Sequence, residues 1–340
     1  MNEINTTIDA AKNIRLHYVD VMKGMTMLFV VLHHVLWLMG EHGISNGMTH
    51  AMLEHQQLYV CFIMPAFFFI TGYCSHFDKK IKPFFISNIK SLVIPSLTIG
   101  TFLEIIHGRL ELWTFIKGSI YLGFYSFWFL YALLYSKFLY YAILRFVPKV
   151  WRRLILLFIM AFVGAYLSDT KIVRNFGMMR QVLNLTIYLA LGNVIRNCPK
   201  EYMMMKYGVY VYCSLLVLCL CWGIPMPCVT AAFSSTLPLE PLHFFSAFSG
   251  CLFVLYICKR MDKNIFLEVV GKYSLIVYVL HCEFINLFLS MVDIESINRM
   301  GYMSTLLFIM IILLVSVLVS CFVSKLLHVR YLSWILGKFN

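Results

Sequence analysis

Apolar runs about twenty residues long recur through the whole chain, and they constrain its fold more than any other feature. Each run is long enough to cross the roughly 30 Å hydrocarbon core of a bilayer as a helix, and short polar segments separate one run from the next. Hydrophobic residues make up 61% of the 340 residues and charged residues only 13%, which excludes a set of water-soluble domains. The sequence therefore predicts an all-α, polytopic membrane protein.

The runs and the charges between them predict a topology of ten transmembrane helices. Most of the 28 lysines and arginines fall in alternate connecting segments, so the positive-inside rule puts both termini in the cytoplasm and the protein in the inner or plasma membrane. We expect one membrane domain over 1–340 with a short polar tail over 1–15 and no cleaved signal peptide. The predicted spans lie near 19–40, 58–76, 86–107, 126–146, 153–168, 178–196, 207–224, 241–258, 270–291 and 303–327.

The net charge and the cysteines exclude several other classes. The charge is +12, but the basic residues are scattered over short loops, so we expect the lipid bilayer as a partner and no nucleic acid. The eleven cysteines occur singly and form no Cys-x-x-Cys pair, which supports neither a disulfide framework nor a zinc site. We expect no metal.

The first apolar run begins with charges and then contains two histidines. Ionisable groups near a bilayer centre cost on the order of 2.5–3.5 kcal/mol each and usually mark a site. Lys23 and His34 are eleven positions apart, which is close to three helical turns, so both point to nearly the same side. One helix thus carries a cation near its start and an imidazole roughly 16 Å further along.

Three sequence blocks together resemble acyltransferase family 3, the integral-membrane enzymes that O-acylate sugars and envelope glycans. The blocks are Lys23 and His34 with ten residues between them, the segment Met64–Tyr73, and the segment Gly271–His281. The closest resemblance is to the fucose-acetylase-like branch. Many members have arginine in place of Lys23, and that branch often has a histidine where this chain has Ile63.

The resemblance implies acyl transfer from a cytoplasmic acyl-CoA, by analogy acetyl-CoA, to a hydroxyl of an envelope sugar or polysaccharide. Acyl-CoA would be a donor substrate, and no bound cofactor is expected. A base must take the hydroxyl proton, which suits an imidazole near neutral pH, so His34 is the candidate catalytic residue; a structural histidine between helices is the alternative. His281 lies at a comparable depth in the ninth predicted span, and Tyr278 precedes it by one turn, so both are candidate supporting residues.

Four residues are candidates for the donor side. Lys23 would anchor donor phosphates or serve only as a positively charged flank, and Asp20, one turn earlier, would orient or neutralise it. Lys90 belongs to a basic cluster that would steer CoA or contact anionic lipid. Gly72 would let a pantetheine arm pass close to the backbone or permit tight helix contact.

The acceptor side is expected at the other end of the spans. Glu104 and His107 lie one turn apart near the outer end of the third predicted span, and they would contact a carbohydrate or mark the headgroup boundary. Trp128, at the start of the fourth, would stack on a sugar or anchor the helix at the interface. A multi-span transporter or flippase for a lipid-linked sugar is the alternative function, although the internal repeats typical of such proteins are not found.

Overall fold

A computed structural model of the chain describes residues 16–108, 111, 127–166, 178–222, 240–329 and 332–337; the predicted tail over 1–15 lies outside them. The described residues form helices with no β-strand among them, so the predicted all-α class is confirmed. In chain order the helices are α1 His17–Glu41, α2 Gly47–His55, α3 Gln57–Cys74, α4 Ile81–Asn88, α5 Ile94–Ile106, α6 Trp128–Phe146, α7 Val150–Tyr166, α8 Met179–Arg196, α9 Glu201–Trp222, α10 Glu240–Met261, α11 Ile265–Lys272, α12 Ser274–Ser290, α13 Ile294–Asn298 and α14 Tyr302–Leu327.

Every one of the ten predicted segments contains a helix, but fewer satisfy the length and hydropathy expected of a membrane span. Within the described ranges, six spans do so: α1, α3, the continuous α4–α5 rod, α9, α10 and α14. The pair α11 and α12 makes a seventh if the two count as one broken span. Helix α7 has only 17 residues, and α8 begins with polar side chains. The structure thus supports six or seven spans, and the count of ten stays a prediction.

Large apolar side chains cover the outside of the helical bundle. Phe102, Leu307 and Phe322 are each 61–62% exposed, and contiguous apolar surface of this kind is rare on a soluble monomer. Lipid contact accounts for it. The chain is therefore a multi-pass membrane protein.

The ninth predicted span is not the straight helix expected over 270–291. It breaks at Tyr273, where α11 and α12 meet at an angle of 86°. Helix α11 lies directly against α1, because a Cβ on Gly271 would collide with the Asp20 carbonyl and a Cβ on Gly24 with the Leu267 carbonyl. Glycines at both positions permit this close approach, and α12 then continues beside α1.

The rod formed by α4 and α5 contains a π-helical segment, Ile89–Val93. Pro95 follows it and lacks the N–H that a regular helix would donate to the carbonyl of Ser91. Wider π turns accommodate such a missing bond. Lys90 lies within this segment with an exposed side chain.

Candidate functional site

Helices α1 and α12 bring His34 and His281 together inside the bundle. Their ring centroids are 4.8 Å apart and the rings lie nearly perpendicular, at 77°. Each ring is held in the same way: Nδ1 of His34 lies 2.9 Å from the Val30 carbonyl oxygen, and Nδ1 of His281 lies 2.8 Å from that of Val277. Because a carbonyl only accepts, each Nδ1 donates its hydrogen and each neutral ring keeps its lone pair on Nε2.

One thiol completes the centre. His281 is only 2% exposed, and the Sγ of Cys282 lies 3.3 Å from its Nε2, so the thiol donates to that nitrogen. Within the described part of the chain, Nε2 of His34 has no hydrogen-bond partner. One ligand atom from each of these three residues lies within 4.8 Å of the others. The centre therefore offers one unengaged basic nitrogen on His34, next to a second imidazole.

Tyr278 joins this centre to α6. Its ring centroid lies 6.3 Å from that of His281 and 5.2 Å from that of Phe129, and its hydroxyl is hydrogen-bonded to the Phe129 backbone. Trp128, partly buried, packs edge-on against Phe129 with centroids 6.2 Å apart. Tyr278 thus fixes α12 against the start of α6, and Trp128 stands one aromatic contact further out.

His33, the other histidine of the first apolar run, points elsewhere. Its Nδ1 donates to the side-chain oxygen of Gln56, 2.9 Å away. This bond connects α1 to the residue that precedes α3, which gives His33 a structural role.

A hydrogen bond joins the end of α5 to the middle of α12. His107 Nε2 lies 3.0 Å from Glu283 Oε2, and Glu283 follows His281 by two residues. Glu104, the predicted acceptor residue, lies one turn before His107 with a partly exposed side chain. Three polar side chains therefore gather at this end of the bundle.

At the opposite end, Lys23 lies in a group of cations. Asp20 Oδ1 is 3.6 Å from Lys23 Nζ, so the predicted pair forms. The Cys74 thiol at the end of α3 lies within electrostatic reach of Lys23, Lys137 and Arg196. We call these three residues the cation cluster. Positive charges outnumber the single carboxylate of Asp20 there, so the cluster favours an anion.

Tyr73, the last residue of the second sequence block, holds the cluster in place. Its carbonyl accepts a hydrogen bond of 2.7 Å from Arg196 Nη1, and its hydroxyl donates to Glu201 Oε1 at 2.8 Å. Lys259 Nζ donates to the same carboxylate oxygen at 2.7 Å. Helices α3, α8, α9 and α10 are tied together at this one tyrosine.

A cavity of about 390 Å³ adjoins the cluster through Arg196. Arg145, His76 and Asn193 also line it, together with Asp78. Within the described ranges neither guanidinium makes a salt bridge. Two guanidinium groups and an amide are suitable donors for phosphate oxygens.

Two other predicted donor residues have contacts of a different kind. A Cβ on Gly72 would collide with the Leu189 carbonyl of α8, so close helix packing, one of its two predicted roles, accounts for this glycine. The backbone carbonyl of Lys90 lies against Gly337, and its exposed side chain is not among those that line the cavity.

The prediction missed Arg196, Arg145, Lys137 and Cys282. A usable signal existed for Lys137, since an ionisable residue within an apolar span is by default a candidate site residue. Arg145 and Arg196 each lie in the last turn of a helix, where the positive-inside rule alone would account for a basic residue. Cys282 gains its meaning only from its contact with His281.

Comparison with curated proteins and with solved structures returns no match. A family model does match: residues 16–325 fit the acyltransferase domain of acyltransferase family 3. The matched range contains all three sequence blocks and both ends of the site. The chain therefore belongs to acyltransferase family 3 and is a membrane acyltransferase.

Proposed function

We propose that this enzyme transfers an acyl group, acetyl in the simplest case, from cytoplasmic acyl-CoA to a hydroxyl of an envelope sugar or polysaccharide. The pairing of His34 with His281, about three helical turns along α1 from Lys23 of the cation cluster, carries this proposal. The resemblance to the fucose-acetylase-like branch supports the acetyl donor and the carbohydrate acceptor. The charge pattern of the loops supports ten spans in the inner membrane, with both termini in the cytoplasm.

In the proposed reaction His34 is the catalytic base. The acceptor hydroxyl lies against its Nε2, which takes the proton as the oxygen attacks the thioester carbonyl. The tetrahedral intermediate then collapses, the C–S bond breaks, and the proton on His34 passes to the leaving sulfur, giving the ester and free CoA. His281 acts as a positioning residue whose ring packs against that of His34, with centroids 4.8 Å apart, and Tyr278 fixes the helix that carries it.

The donor would bind at the cation cluster. Its phosphates would lie against Arg145 and Arg196 in the adjoining cavity, while Lys23 and Lys137 hold charge closer to the bilayer. Lys23 and His34 share one face of α1 about 16 Å apart, a distance that the extended arm of the donor would cover. The thioester would then reach the imidazole away from bulk water, which protects it from hydrolysis.

The acceptor would enter from the other end. Glu104 and the His107–Glu283 pair offer polar contacts near His281, and the Trp128 ring offers an apolar face for a sugar. Glu104, His107 and Trp128 lie at the ends of α5 and α6, and Glu283 lies in the middle of α12.

A substitution at His34 tests the proposal. In membranes given labelled acetyl-CoA, His34→Ala should lower transfer of label into glycan by on the order of 100-fold or more, since base catalysis typically contributes that much. His33→Ala is the matched control, because its ring is bonded to Gln56, and it should keep most of the activity. Wild-type rates in His34→Ala at equal protein levels would contradict the mechanism. A transporter or flippase, by contrast, would leave the thioester intact in both variants.

A further inference from the structure

The space between the two imidazoles contains more ligand atoms than a single base requires. His34, His281 and Cys282 each place one potential metal ligand within 4.8 Å of the others. They form the one such group of three or more histidine, cysteine or acidic residues in the described part of the chain. The proposed transfer uses the His34 ring as a base and the His281 ring to position it, and it gives the thiol no role.

The hydrogen bonds behind the rings match those of metal-bound histidines. Such histidines almost always donate their other ring N–H to a carbonyl, a carboxylate or water, which fixes the ring and its tautomer. Here both Nδ1 atoms donate to carbonyls, those of Val30 and Val277. Both Nε2 atoms therefore carry the lone pair that a metal ion needs: that of His34 is free, and that of His281 is freed when the Cys282 thiol gives up its hydrogen bond.

The donor set selects the class of ion. Two imidazoles and a thiol suit Zn²⁺ and similar thiophilic cations, whereas Mg²⁺ and Ca²⁺ require oxygen ligands. With Zn–N near 2.0–2.1 Å and Zn–S near 2.3 Å, ligand atoms of a tetrahedral site lie roughly 3.3–3.6 Å apart. Closing the group around an ion thus needs side-chain shifts on the order of 1 Å.

We propose that His34, His281 and Cys282 bind Zn²⁺ or a similar thiophilic divalent cation, and that the bound ion reversibly blocks acyl transfer. On binding, the thiol of Cys282 releases its proton to solvent and the thiolate joins the two Nε2 atoms as ligands. The lone pair of His34 then bonds to the metal and can no longer take the acceptor proton. Metal binding stands on the geometry alone, whereas the inhibition rests on the proposed function.

Co²⁺ serves as the spectroscopic probe for binding. Added to the purified full-length protein in detergent, Co²⁺ should give the visible absorption of a tetrahedral ion together with a thiolate-to-metal charge-transfer band. One equivalent of Zn²⁺ should remove both features. Cys282→Ala should lose the charge-transfer band and bind at least about tenfold more weakly, while Cys251→Ala, at a buried thiol of α10, should behave as wild type. An octahedral spectrum, or an unchanged band in Cys282→Ala, would overturn the site.

Activity then tests the blocking. Micromolar-range Zn²⁺ should stop transfer from labelled acetyl-CoA, a chelator should restore it, and Cys282→Ala should be active and need at least about tenfold more Zn²⁺ for the same inhibition. If Zn²⁺ displaces Co²⁺ while transfer continues or accelerates, the blocking role is wrong although the site exists. If His34→Ala remains active, the proposed mechanism fails, and the Co²⁺ spectrum still decides the metal site separately.

Discussion

A charged residue inside an apolar helix marks the proposed donor end of this enzyme. Lys137 lies within α6 and is partly buried, yet together with Lys23 and Arg196 it surrounds Cys74. Holding a cation there costs free energy unless an anion compensates it. A donor that carries several phosphates would supply this compensation during each catalytic cycle.

Removing the charge of Lys137 should weaken donor binding more than the chemical step. Lys137→Met should raise the KM for acetyl-CoA about tenfold or more, since a charge-assisted hydrogen bond contributes about 1.5–3 kcal/mol, and kcat should change little. Steady-state transfer with labelled acetyl-CoA measures both constants. Lys206→Gln is the control, because Lys206 lies exposed on α9 over the Tyr210 ring. An unchanged KM in Lys137→Met would remove this residue from the donor site.

Residue by residue, the sequence could predict the parts of the site that lie on one helix. The periodicity of α1 put Lys23 and His34 on a common side, and the i, i+3 spacing paired Lys23 with Asp20. It could not predict that Cys282 would stand beside the two rings, because that contact depends on how α12 packs against α1. The spacing of the cysteines along the chain likewise gave no sign of a metal ligand, because the three candidate ligands come together only when α12 packs against α1.

At the scale of the element, close backbone crossings set the helix positions. Gly72 of α3 lies against the carbonyl of Leu189, and Gly192 of α8 lies against that of Phe69. The crossing fixes α8 and, through it, Arg196 beside Tyr73. A side chain at either glycine would push the helices apart, because the obstacle is backbone.

Gly72→Ala should therefore destabilise the protein rather than block the donor path. We expect a loss of about 1–3 kcal/mol, as for overpacking in a close-packed interior, visible as a lower unfolding temperature in detergent. Gly40→Ala in α1 is the matched control, since a Cβ there meets no atom within 4 Å, and it should be neutral or slightly stabilising. A stable Gly72→Ala protein with a raised KM for acetyl-CoA would return this glycine to the donor site.

The bend between α11 and α12 shows the limit of hydropathy at this scale. The apolar run over 270–291 predicts a helix, and most of it is helical. Hydropathy, however, carries no information about the direction of the helix axis. The break at Tyr273 follows from the contact of Gly271 with α1, which no local pattern encodes.

For the whole molecule, the all-helical class and the membrane setting followed from composition, while the number of spans did not. Three of the ten predicted helices fall below the length or hydropathy of a membrane span: α7 has 17 residues, and α6 and α8 carry polar side chains but have many buried residues. Partners inside the bundle can compensate polar groups that lipid could not. Length and hydropathy alone therefore leave the count between six and ten.

Thiol labelling can determine whether the bent pair crosses the bilayer. Glu295→Cys and Lys263→Cys place exposed thiols on either side of α11 and α12, and ten spans put the first outside and the second in the cytoplasm. A membrane-impermeant maleimide should label Glu295→Cys in intact cells and Lys263→Cys only after permeabilisation, above the background of the unmutated chain. If neither thiol is labelled in intact cells and both are labelled after permeabilisation, the pair is a re-entrant loop and the predicted topology beyond it is reversed.

The crossing of α1 and α11 has a consequence for how this enzyme can be tuned. Gly24 and Gly271 set how far one helix slides along the other. Helix α1 itself carries His34 ten residues further on, and α12, which follows α11, carries His281. The distance between the two imidazoles therefore depends on a helix crossing several turns away. A methyl group added at that crossing would change this distance, and with it the reaction, without replacing any reacting atom.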